Sequence, residues 1–251
     1  MTAQNLAPPV RTRADGPAVI VSIERLDDDN RIDMRTMTLL SAAIDAAESD
    51  LSCKVIVITG SGDFFCAGGR IGGYPAGTTH DQLVYARSFT VLQERMARCQ
   101  KPIVGAINGH CLAGGMSLLE ACDLAVAAEG AEFAYPEINN GLFPMLAIAV
   151  ARRNLPPKLA FDLFYSGRRM KAGEALEARL LNRVVSLEGL WPAVKEVVTM
   201  LAGRSAASMM VGRQAFYAMA NMGPTAALEY AQVGLVAMLN AADDEKQHKA
   251  S

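Results

Sequence analysis

Two adjacent glycines, Gly114 and Gly115, follow a strand-like run where a helical pattern begins, and Ser117 comes one turn later. Glycine is a poor helix former, with a penalty of roughly 1 kcal/mol, so this choice needs a reason. The first amides of a helix have no intrahelical acceptor, and glycine has no side chain to block an approaching carbonyl oxygen. The pair therefore indicates a binding place for a negatively charged oxygen, a tight strand–helix junction, or both.

Glu137 is an acidic residue whose surroundings suit proton transfer. Pro136 restricts the backbone just before it, and large apolar residues follow it, among them Leu142 and Phe143. Burial beside such groups raises the pKa of a carboxyl, which suits a general acid or base. The alternative interpretation is a solvated glutamate in a surface turn.

A glycine-rich loop from Gly60 to Gly77 follows an apolar run at residues 54–59. Gly60-Ser-Gly62 could begin a dinucleotide-binding fingerprint, but Phe65 occupies the place of its third glycine, which argues against a nicotinamide enzyme. The loop continues as Phe64-Phe-Cys-Ala-Gly-Gly-Arg-Ile-Gly-Gly73, so its backbone either approaches something closely or takes positive φ. A flexible surface loop is the alternative, and the two phenylalanines that would anchor the segment argue against it.

Strand and helix patterns alternate in the first half of the chain, and helices dominate the second half. The predicted strands are 17–24, 54–60, 102–108, 123–128 and 131–135, and the early predicted helices are 34–48 and 79–99, the second with Leu83, Ala86, Val91 and Met96 buried. The last helix is predicted to begin at Pro224 and end near Asn240. This order indicates an α/β fold with an α-helical C-terminal region, after a flexible N-terminus at residues 1–16.

Composition excludes several classes of protein. The 251-residue chain is 51% hydrophobic and 20% charged, and its formal net charge of −2 offers no basic surface for nucleic acid or for an anionic membrane. No apolar run reaches the roughly 18 residues of a membrane span, and no signal-peptide pattern is present. The five cysteines form no CxxC pair, and no metal-ligand spacing occurs. We therefore expect a cytoplasmic protein with reduced thiols and without a metal, nucleic-acid or membrane partner.

Four stretches occur in an order that is typical of one superfamily. They are Phe65-Cys-Ala-Gly-Gly69, Lys101-Pro-Ile-Val-Gly-Ala-Ile-Asn-Gly-His-Cys-Leu-Ala-Gly-Gly115, Cys122-Asp-Leu-Ala-Val-Ala127 and Phe133-Ala-Tyr-Pro-Glu-Ile138. With these motifs the chain resembles the crotonase superfamily, the enoyl-CoA hydratase/isomerase proteins, from about residue 17 to residue 240. Each motif alone is modest evidence, whereas the ordered set is specific.

The resemblance implies a crotonase-like spiral of ββα units over residues 17–195 and a C-terminal α-helical trimerisation region over residues 196–251. It also implies a homotrimer or a dimer of trimers. The implied substrate is an acyl-CoA thioester, with coenzyme A entering as part of the substrate and no separate cofactor. By position, the amides of Gly69 and Gly114 would hold the oxygen of a thioester enolate, and Glu137 would be the acid/base.

Further residues near these positions are expected to contact the substrate. They are Ala67, Gly68, Arg70, Ile71, Ser117, Leu142 and Phe143. Arg70 stands where the family commonly has an aspartate, so contacts with CoA are expected to differ there. Leu142 and Phe143 present large apolar groups, which suggests an apolar acyl chain.

Ser117 occupies the position of a second glutamate that family hydratases commonly carry. A serine hydroxyl is not a base near pH 7 but can hold a water, and Gly115-Met-Ser-Leu-Leu119 lacks the second glycine of a nucleophile elbow. Ser117 is therefore polar pocket lining or packed helix surface, and Glu120 is a weak substitute because it faces another direction. With Glu137 as the single carboxylate, isomerisation and hydration of an enoyl-CoA both stay open. A CoA-ester-binding protein without turnover is the alternative to an enzyme.

Overall fold

The computed structural model describes residues 8–70 and 78–250, with the side chains of residues 241–250 left undescribed. Within these ranges the strands are β1 (Val10–Asp15), β2 (Ala18–Ile23), β3 (Val55–Gly60), β4 (Phe64–Cys66), β5 (Ile103–Ile107), β6 (His110–Leu112), β7 (Leu124–Ala128), β8 (Glu132–Ala134), β9 (Met170–Lys171) and β10 (Arg183–Val185). The helices are α1 (Met34–Ser49), α2 (Thr79–Arg98), α3 (Gly114–Glu120), α4 (Met145–Asn154), α5 (Pro157–Ser166), α6 (Ala172–Glu177), α7 (Leu190–Ala202), α8 (Ala206–Met219) and α9 (Pro224–Ala250). Short 3-10 turns occur at Leu26–Asp28 and Pro136–Asn140.

The order strand, strand, helix recurs along the chain as β3–β4–α2, β5–β6–α3 and β7–β8–α4. The first strands of these units are parallel neighbours in a six-stranded sheet of order β1-β2-β3-β5-β7-β10. The second strands are parallel neighbours in a four-stranded sheet of order β4-β6-β8-β9. Each unit therefore moves one strand further along both sheets, and the predicted spiral of ββα units is confirmed.

The larger sheet is covered on both faces, which explains why its strands are continuous apolar runs. On one face, Val57, Val104 and Val126 pack against α7. The other face packs against a larger core that includes the apolar sides of α1 and α2. The predicted boundary between residues 195 and 196 falls inside α7, and Val194 and Val197, on either side of it, both pack on the first of these two faces.

Two asparagines fix the loop between β3 and β4. The Nδ2 of buried Asn30 donates to the carbonyls of Ser61 (2.8 Å) and Phe64 (2.6 Å). The Oδ1 of Asn108 accepts from the amide of Gly60 (2.9 Å). Because buried backbone groups must be paired, these side chains stabilise the turn by bonding to backbone groups that no neighbouring strand pairs. The turn directs the chain into the glycine-rich loop.

The N-terminal segment differs from its prediction. Residues 1–16 are predicted to be flexible, but β1 pairs antiparallel with β2 from Val10↔Ile23 to Asp15↔Ala18. Gly16, at φ +56°, lies in the two-residue turn that joins the strands. Only Val10 of β1 is buried, so the strand is held mainly by backbone hydrogen bonds to β2. Its side chains lack the alternation of apolar and polar residues by which a strand is predicted. Residues 1–7 lie outside the described ranges.

Helix α2 buries a face that was predicted only in part. Met96 is buried as predicted, but Leu83 and Val91 are 63% and 49% exposed, and Tyr85 and Phe89 are buried in their place. Both sets of residues have helical spacing, so the period alone does not choose between them. The aromatic rings bury more apolar area, which favours the observed orientation.

Helix α9 continues to Ala250 and does not end near Asn240 as predicted. Most of its contacts within the chain are with α8, and apolar side chains including Leu228, Val233 and Leu239 remain exposed. Within the described part of the chain, no helix combines the length and apolar character needed to cross a bilayer.

Candidate active site

A cavity of about 460 Å³ lies where the loop after β4 meets α2, α3, the Pro136–Asn140 turn and α4. We call it the site cavity. Its lining residues are Gly69, Gln82, Tyr85, Phe89, Ala113, Gly114, Ser117, Glu137, Leu142, Phe143, Pro144, Met145, Leu146 and Ala147. A mainly apolar wall with a few polar groups is typical of a small-molecule site.

The backbone amides of Gly69 and Gly114 are neighbours in the site cavity. A Cβ added to Gly114 would lie 3.3 Å from the Gly69 nitrogen and 3.2 Å from Phe89 Cε2. A Cβ added to Gly68, whose φ is +95°, would lie 2.9 Å from the Gly114 nitrogen. Glycine therefore lets the two backbone segments approach closely. The structure brings together the two positions predicted as oxyanion donors.

The backbone on both sides of Gly69 pairs with Ile32, and the Gly69 amide takes no part in this pairing. The Ile32 amide donates to the Gly68 carbonyl (2.8 Å), and the Arg70 amide donates to the Ile32 carbonyl (3.3 Å). The Gly114 amide is the first of α3 and has no partner inside the helix. Among the residues that the structure describes, no backbone carbonyl accepts from either amide. Two such amides side by side can donate to one oxygen and stabilise negative charge on it.

The second glycine of the pair has a packing role. A Cβ on Gly115 would clash with the carbonyl oxygen of Cys66 in β4. Ala113, at φ +51°, precedes the helix and supplies no side-chain cap. Gly115 is thus explained by a tight strand–helix junction, and Gly114 by the access that it leaves to its own amide.

Glu137 lies on the Pro136–Asn140 turn and lines the site cavity. Its Oε2 is buried and has no hydrogen-bond partner in the described part of the chain. Burial raises the pKa of the Glu137 carboxyl, and a hydrogen bond from its own backbone amide opposes part of that shift. This carboxyl is suited to accept and return a proton, and the solvated-turn alternative is not supported.

Ser117 is fully buried on α3, one turn after Gly114. Its Oγ lacks a hydrogen-bond partner among the described residues, and the residue lines the same cavity as Glu137. An unpaired buried hydroxyl costs about 1–3 kcal/mol, so such an atom is a natural contact for a ligand or water. The geometry supports Ser117 as polar pocket lining over simple packing.

Leu142 and Phe143 line the site cavity, where the sequence predicts apolar contacts for an acyl group. Leu142 is 46% exposed at the cavity wall. Phe143 is half-buried and packs edge-to-face on Phe164, with ring centroids 5.7 Å apart. The pair forms an apolar wall beside Glu137.

The residues around Gly69 are only partly brought into the cavity. Ala67, Gly68 and Arg70 flank Gly69 without lining the cavity. Arg70 Nε lies 3.4 Å from Asp28 Oδ2, so this cation pairs within the chain. Ile71 lies outside the described residues. The roles of these four positions as substrate contacts stay predictions.

Several lining residues escape the sequence analysis, notably Tyr85 and Phe89 on α2. The Tyr85 hydroxyl donates to the Ile32 carbonyl (3.2 Å), and a Cβ on Gly69 would lie 2.6 Å from its oxygen. The sequence signal for Tyr85 and Phe89 was their spacing of four residues, which places both rings on one side of a helix. Met145 and Leu146, in the first turn of α4, complete the apolar wall.

Glu120 does not line the site cavity, in agreement with its predicted orientation. Its carboxyl is buried, and its Oε1 accepts a hydrogen bond from the hydroxyl of Tyr135 (2.7 Å). Burial raises the pKa of this carboxyl to about 8, with the Tyr135 hydrogen bond opposing the shift. Glu120 also lines a second cavity of about 870 Å³ between α2, α4 and α8.

The spiral of ββα units and the paired glycine amides define a protein of the crotonase superfamily. The sequence profile described as Enoyl-CoA hydratase/isomerase matches residues 15–250, and the chain belongs to that family. The family description and the relatives' names are those of enzymes that act on CoA thioesters.

Individual relatives cover most of the chain. The Carnitinyl-CoA dehydratase of Proteus mirabilis (strain HI4320) is 34% identical over 175 residues, which cover 69% of this chain and 67% of that protein. The Carnitinyl-CoA dehydratase of Salmonella enteritidis PT4 (strain P125109) is 30% identical over 224 residues, covering 88% and 85%. An enoyl-CoA hydratase structure from Mycobacterium smegmatis has a TM-score of 0.89 at 25% identity, over 93% of this chain and 91% of that one.

Proposed function

We propose that this protein is an enzyme that moves protons on an acyl-CoA thioester through an enolate intermediate. The observation that carries the proposal is one cavity lined by Gly69 and Gly114, whose amides are adjacent, and by Glu137, whose Oε2 has no partner among the described residues. Removing a proton from the carbon beside a thioester places negative charge on the thioester oxygen. Two amide donors stabilise that oxygen, and one carboxyl takes the proton.

The number of carboxylates favours double-bond isomerisation. Glu137 is the one acidic residue among the described residues that line the site cavity. Isomerisation needs a single group that removes a proton from one carbon of an enoyl-CoA and returns it to another. Glu137 meets this requirement without a second carboxylate, because Ser117 is not a base near neutral pH.

Reversible loss of water from a 3-hydroxyacyl-CoA is the second candidate, and the names of the curated relatives favour it. Glu137 takes the proton at the α carbon, and the electron pair forms the new double bond as the bond from the β carbon to the hydroxyl breaks. The departing hydroxide takes the same proton from Glu137 and leaves as water. The unpaired Ser117 hydroxyl is available to hold that water.

Separate substrates distinguish these reactions from each other and from binding without turnover. We expect the protein to convert a 3-enoyl-CoA to the conjugated 2-enoyl-CoA, or to interconvert crotonyl-CoA and 3-hydroxybutyryl-CoA. Either reaction is measured by the absorbance of the conjugated thioester. Acyl-CoA binding measured by calorimetry, with no turnover of any of these substrates, would replace the enzyme proposal with the CoA-ester-binding alternative.

The apolar wall formed by Leu142, Phe143 and Met145 supports an apolar acyl group as the preferred substrate. A flexible methionine at the wall adapts to different acyl shapes. The reaction as proposed uses no metal and no organic cofactor, since CoA arrives with the substrate. Exposed apolar side chains on α8 and α9 support a homotrimer or a dimer of trimers.

A further inference from the structure

The hydrogen bond from Tyr135 to Glu120 connects two buried side chains outside the site cavity. Tyr135 is fully buried and Glu120 is 8% exposed. The Tyr135 hydroxyl donates to Glu120 Oε1 at 2.7 Å, and Glu120 Oε2 has no partner among the described side chains and backbone groups. Such a half-satisfied buried carboxyl is a poor source of stability, so packing alone does not explain it.

Tyr135 lies next to the element that carries the proposed acid/base. It immediately precedes the turn at Pro136–Asn140, and Glu137 follows two residues later. No side-chain cap hydrogen bond stabilises the start of that turn. The Tyr135 ring packs edge-to-face on Phe164, with centroids 4.9 Å apart, so ring packing and the hydroxyl hydrogen bond together fix its position.

Helix α3 holds this segment at both of its own ends. At the start of the helix, the amide of Ala113 donates to the carbonyl of Ala134 (2.8 Å), directly beside Gly114. At the end of the helix, Glu120 receives the Tyr135 hydroxyl. These two attachments lie at opposite ends of α3, and they add to the pairing of β8 with β6 and to the packing of Tyr135 on Phe164. The Glu120 hydrogen bond is the attachment that fixes the Tyr135 hydroxyl.

We propose that Glu120 and Tyr135 are positioning residues that hold the Glu137 carboxyl at a set place relative to the Gly114 amide. This inference rests on the proposed function and adds to it two residues that do not touch the substrate. Glu120 is suited to the task because its raised pKa keeps it largely uncharged at neutral pH, so it anchors Tyr135 without placing a charge behind the site. Loss of the hydrogen bond should leave substrate binding intact and impair the proton transfer, because proton transfer requires close alignment.

Tyr135→Phe tests the inference by removing only the hydroxyl while it keeps the ring. We expect kcat to fall by about 10- to 100-fold, the effect of a small misplacement of a reacting group, with KM close to wild type. The melting temperature should also fall, because the buried Glu120 carboxyl loses its hydrogen bond. Glu120→Leu should reproduce the loss of kcat, and the double variant should be no worse than either single variant. Glu120→Gln should restore kcat to within about threefold of wild type, because its amide oxygen still accepts the Tyr135 hydroxyl.

Tyr217→Phe is the matched control, since the Tyr217 hydroxyl donates to a carboxylate, Asp123, at 3.3 Å and Tyr217 does not line the site cavity. Its kcat should be unchanged.

The inference is overturned if Tyr135→Phe keeps wild-type kcat, or if Glu120→Gln loses as much activity as Glu120→Leu. Should Tyr135→Phe fail to fold, the comparison of the two Glu120 variants decides. Activity retained in Glu137→Gln would instead refute Glu137 as the acid/base of the proposed function, so the two failures are distinguishable.

Discussion

Glu137 owes its proposed reactivity to burial beside apolar groups and to an oxygen that has no partner in the described part of the chain. Both properties arise from the folded structure around the side chain. Burial raises the pKa of Glu137 above that of a glutamate in water, towards the range that suits a group that both accepts and returns a proton. The role of this residue can be tested by changes that preserve its shape.

Glu137→Gln should lower turnover of an enoyl-CoA by about 10²–10⁴-fold, because the amide cannot accept a proton. Acyl-CoA binding should remain largely intact, since the amides of Gly69 and Gly114 are unchanged. The measurements are steady-state kinetics and calorimetric binding. Glu129→Gln, in the exposed β7–β8 turn away from the site cavity, is the matched control and should retain full activity. Normal turnover by Glu137→Gln would show that another group is the base.

Glu120 should make stability depend on pH. Its pKa is raised from 4.5 to about 8 on folding, so the folded state favours the protonated form. The resulting cost is absent below pH 4.5, grows as pH rises towards 8 and is constant above it, reaching on the order of a few kcal/mol. Glu120→Gln should therefore raise the melting temperature at pH 8 and change it little at pH 5, measured by calorimetry at one protein concentration. Equal shifts at both pH values would contradict the assignment.

At the scale of elements, α3 organises the site. Its seven residues carry Gly114 at the first position, Ser117 one turn later and Glu120 at the last position. One helix thus presents the proposed oxyanion donor and a polar wall group to the site cavity, and it anchors the segment that bears Glu137. Close contact of α3 with β4, at Gly115, keeps these groups at fixed distances.

Gly114→Ala should separate access to the amide from the stability of α3. The new Cβ would lie 3.3 Å from the Gly69 nitrogen, in the space where the substrate oxygen must approach. We expect turnover to fall by about 10²-fold, comparable to loss of one oxyanion donor, while alanine's helix propensity limits the loss of stability. Gly130→Ala, whose Cβ would meet no atom within 4 Å, is the control. Full activity in Gly114→Ala would show that a Cβ at this position does not block the approach of the substrate oxygen, since alanine keeps the amide.

At the scale of the whole molecule, a buried cation attaches α8 to the spiral. Arg213 on α8 pairs with Asp123 (2.8 Å) and donates to the carbonyls of Met96 (2.8 Å), Ala97 (3.0 Å) and Cys99. Beyond this anchor, α8 and α9 expose many apolar side chains. A long helix with apolar residues spread around its circumference is normally covered, which supports assembly with other copies.

The proposed assembly can be measured directly. Size-exclusion chromatography with light scattering should give three or six times the mass of one chain. Leu228→Lys and Val233→Lys, at positions that are 73% and 71% exposed, should reduce that mass by placing charge in the interface. Leu51→Lys, at a 91% exposed position outside α8 and α9, should not. A wild-type protein at the mass of a single chain would refute the proposed trimer.

Much of the site was predictable because its residues carry local signals. Glycines where a helix begins and a proline before Glu137 predicted the two proposed amide donors and the proposed acid/base, and the order of the motifs identified the family. The spiral was implied by the family resemblance that these motifs carry, whereas the continuous apolar runs predicted buried strands. These features depend on chemistry within a few residues of the chain.

The tertiary structure decided what depends on choices between equivalent local patterns. Strand β1 forms through backbone pairing with β2, which its polar side chains do not predict. Helix α2 buries Tyr85 and Phe89, although Leu83 and Val91 also have helical spacing. The hydrogen bond between Tyr135 and Glu120 joins residues from different elements and has no sequence signature. The sequence by itself determined which groups are available for chemistry, and three-dimensional packing determined which of them are buried, unpaired and adjacent, because those properties arise only from neighbours distant in the chain.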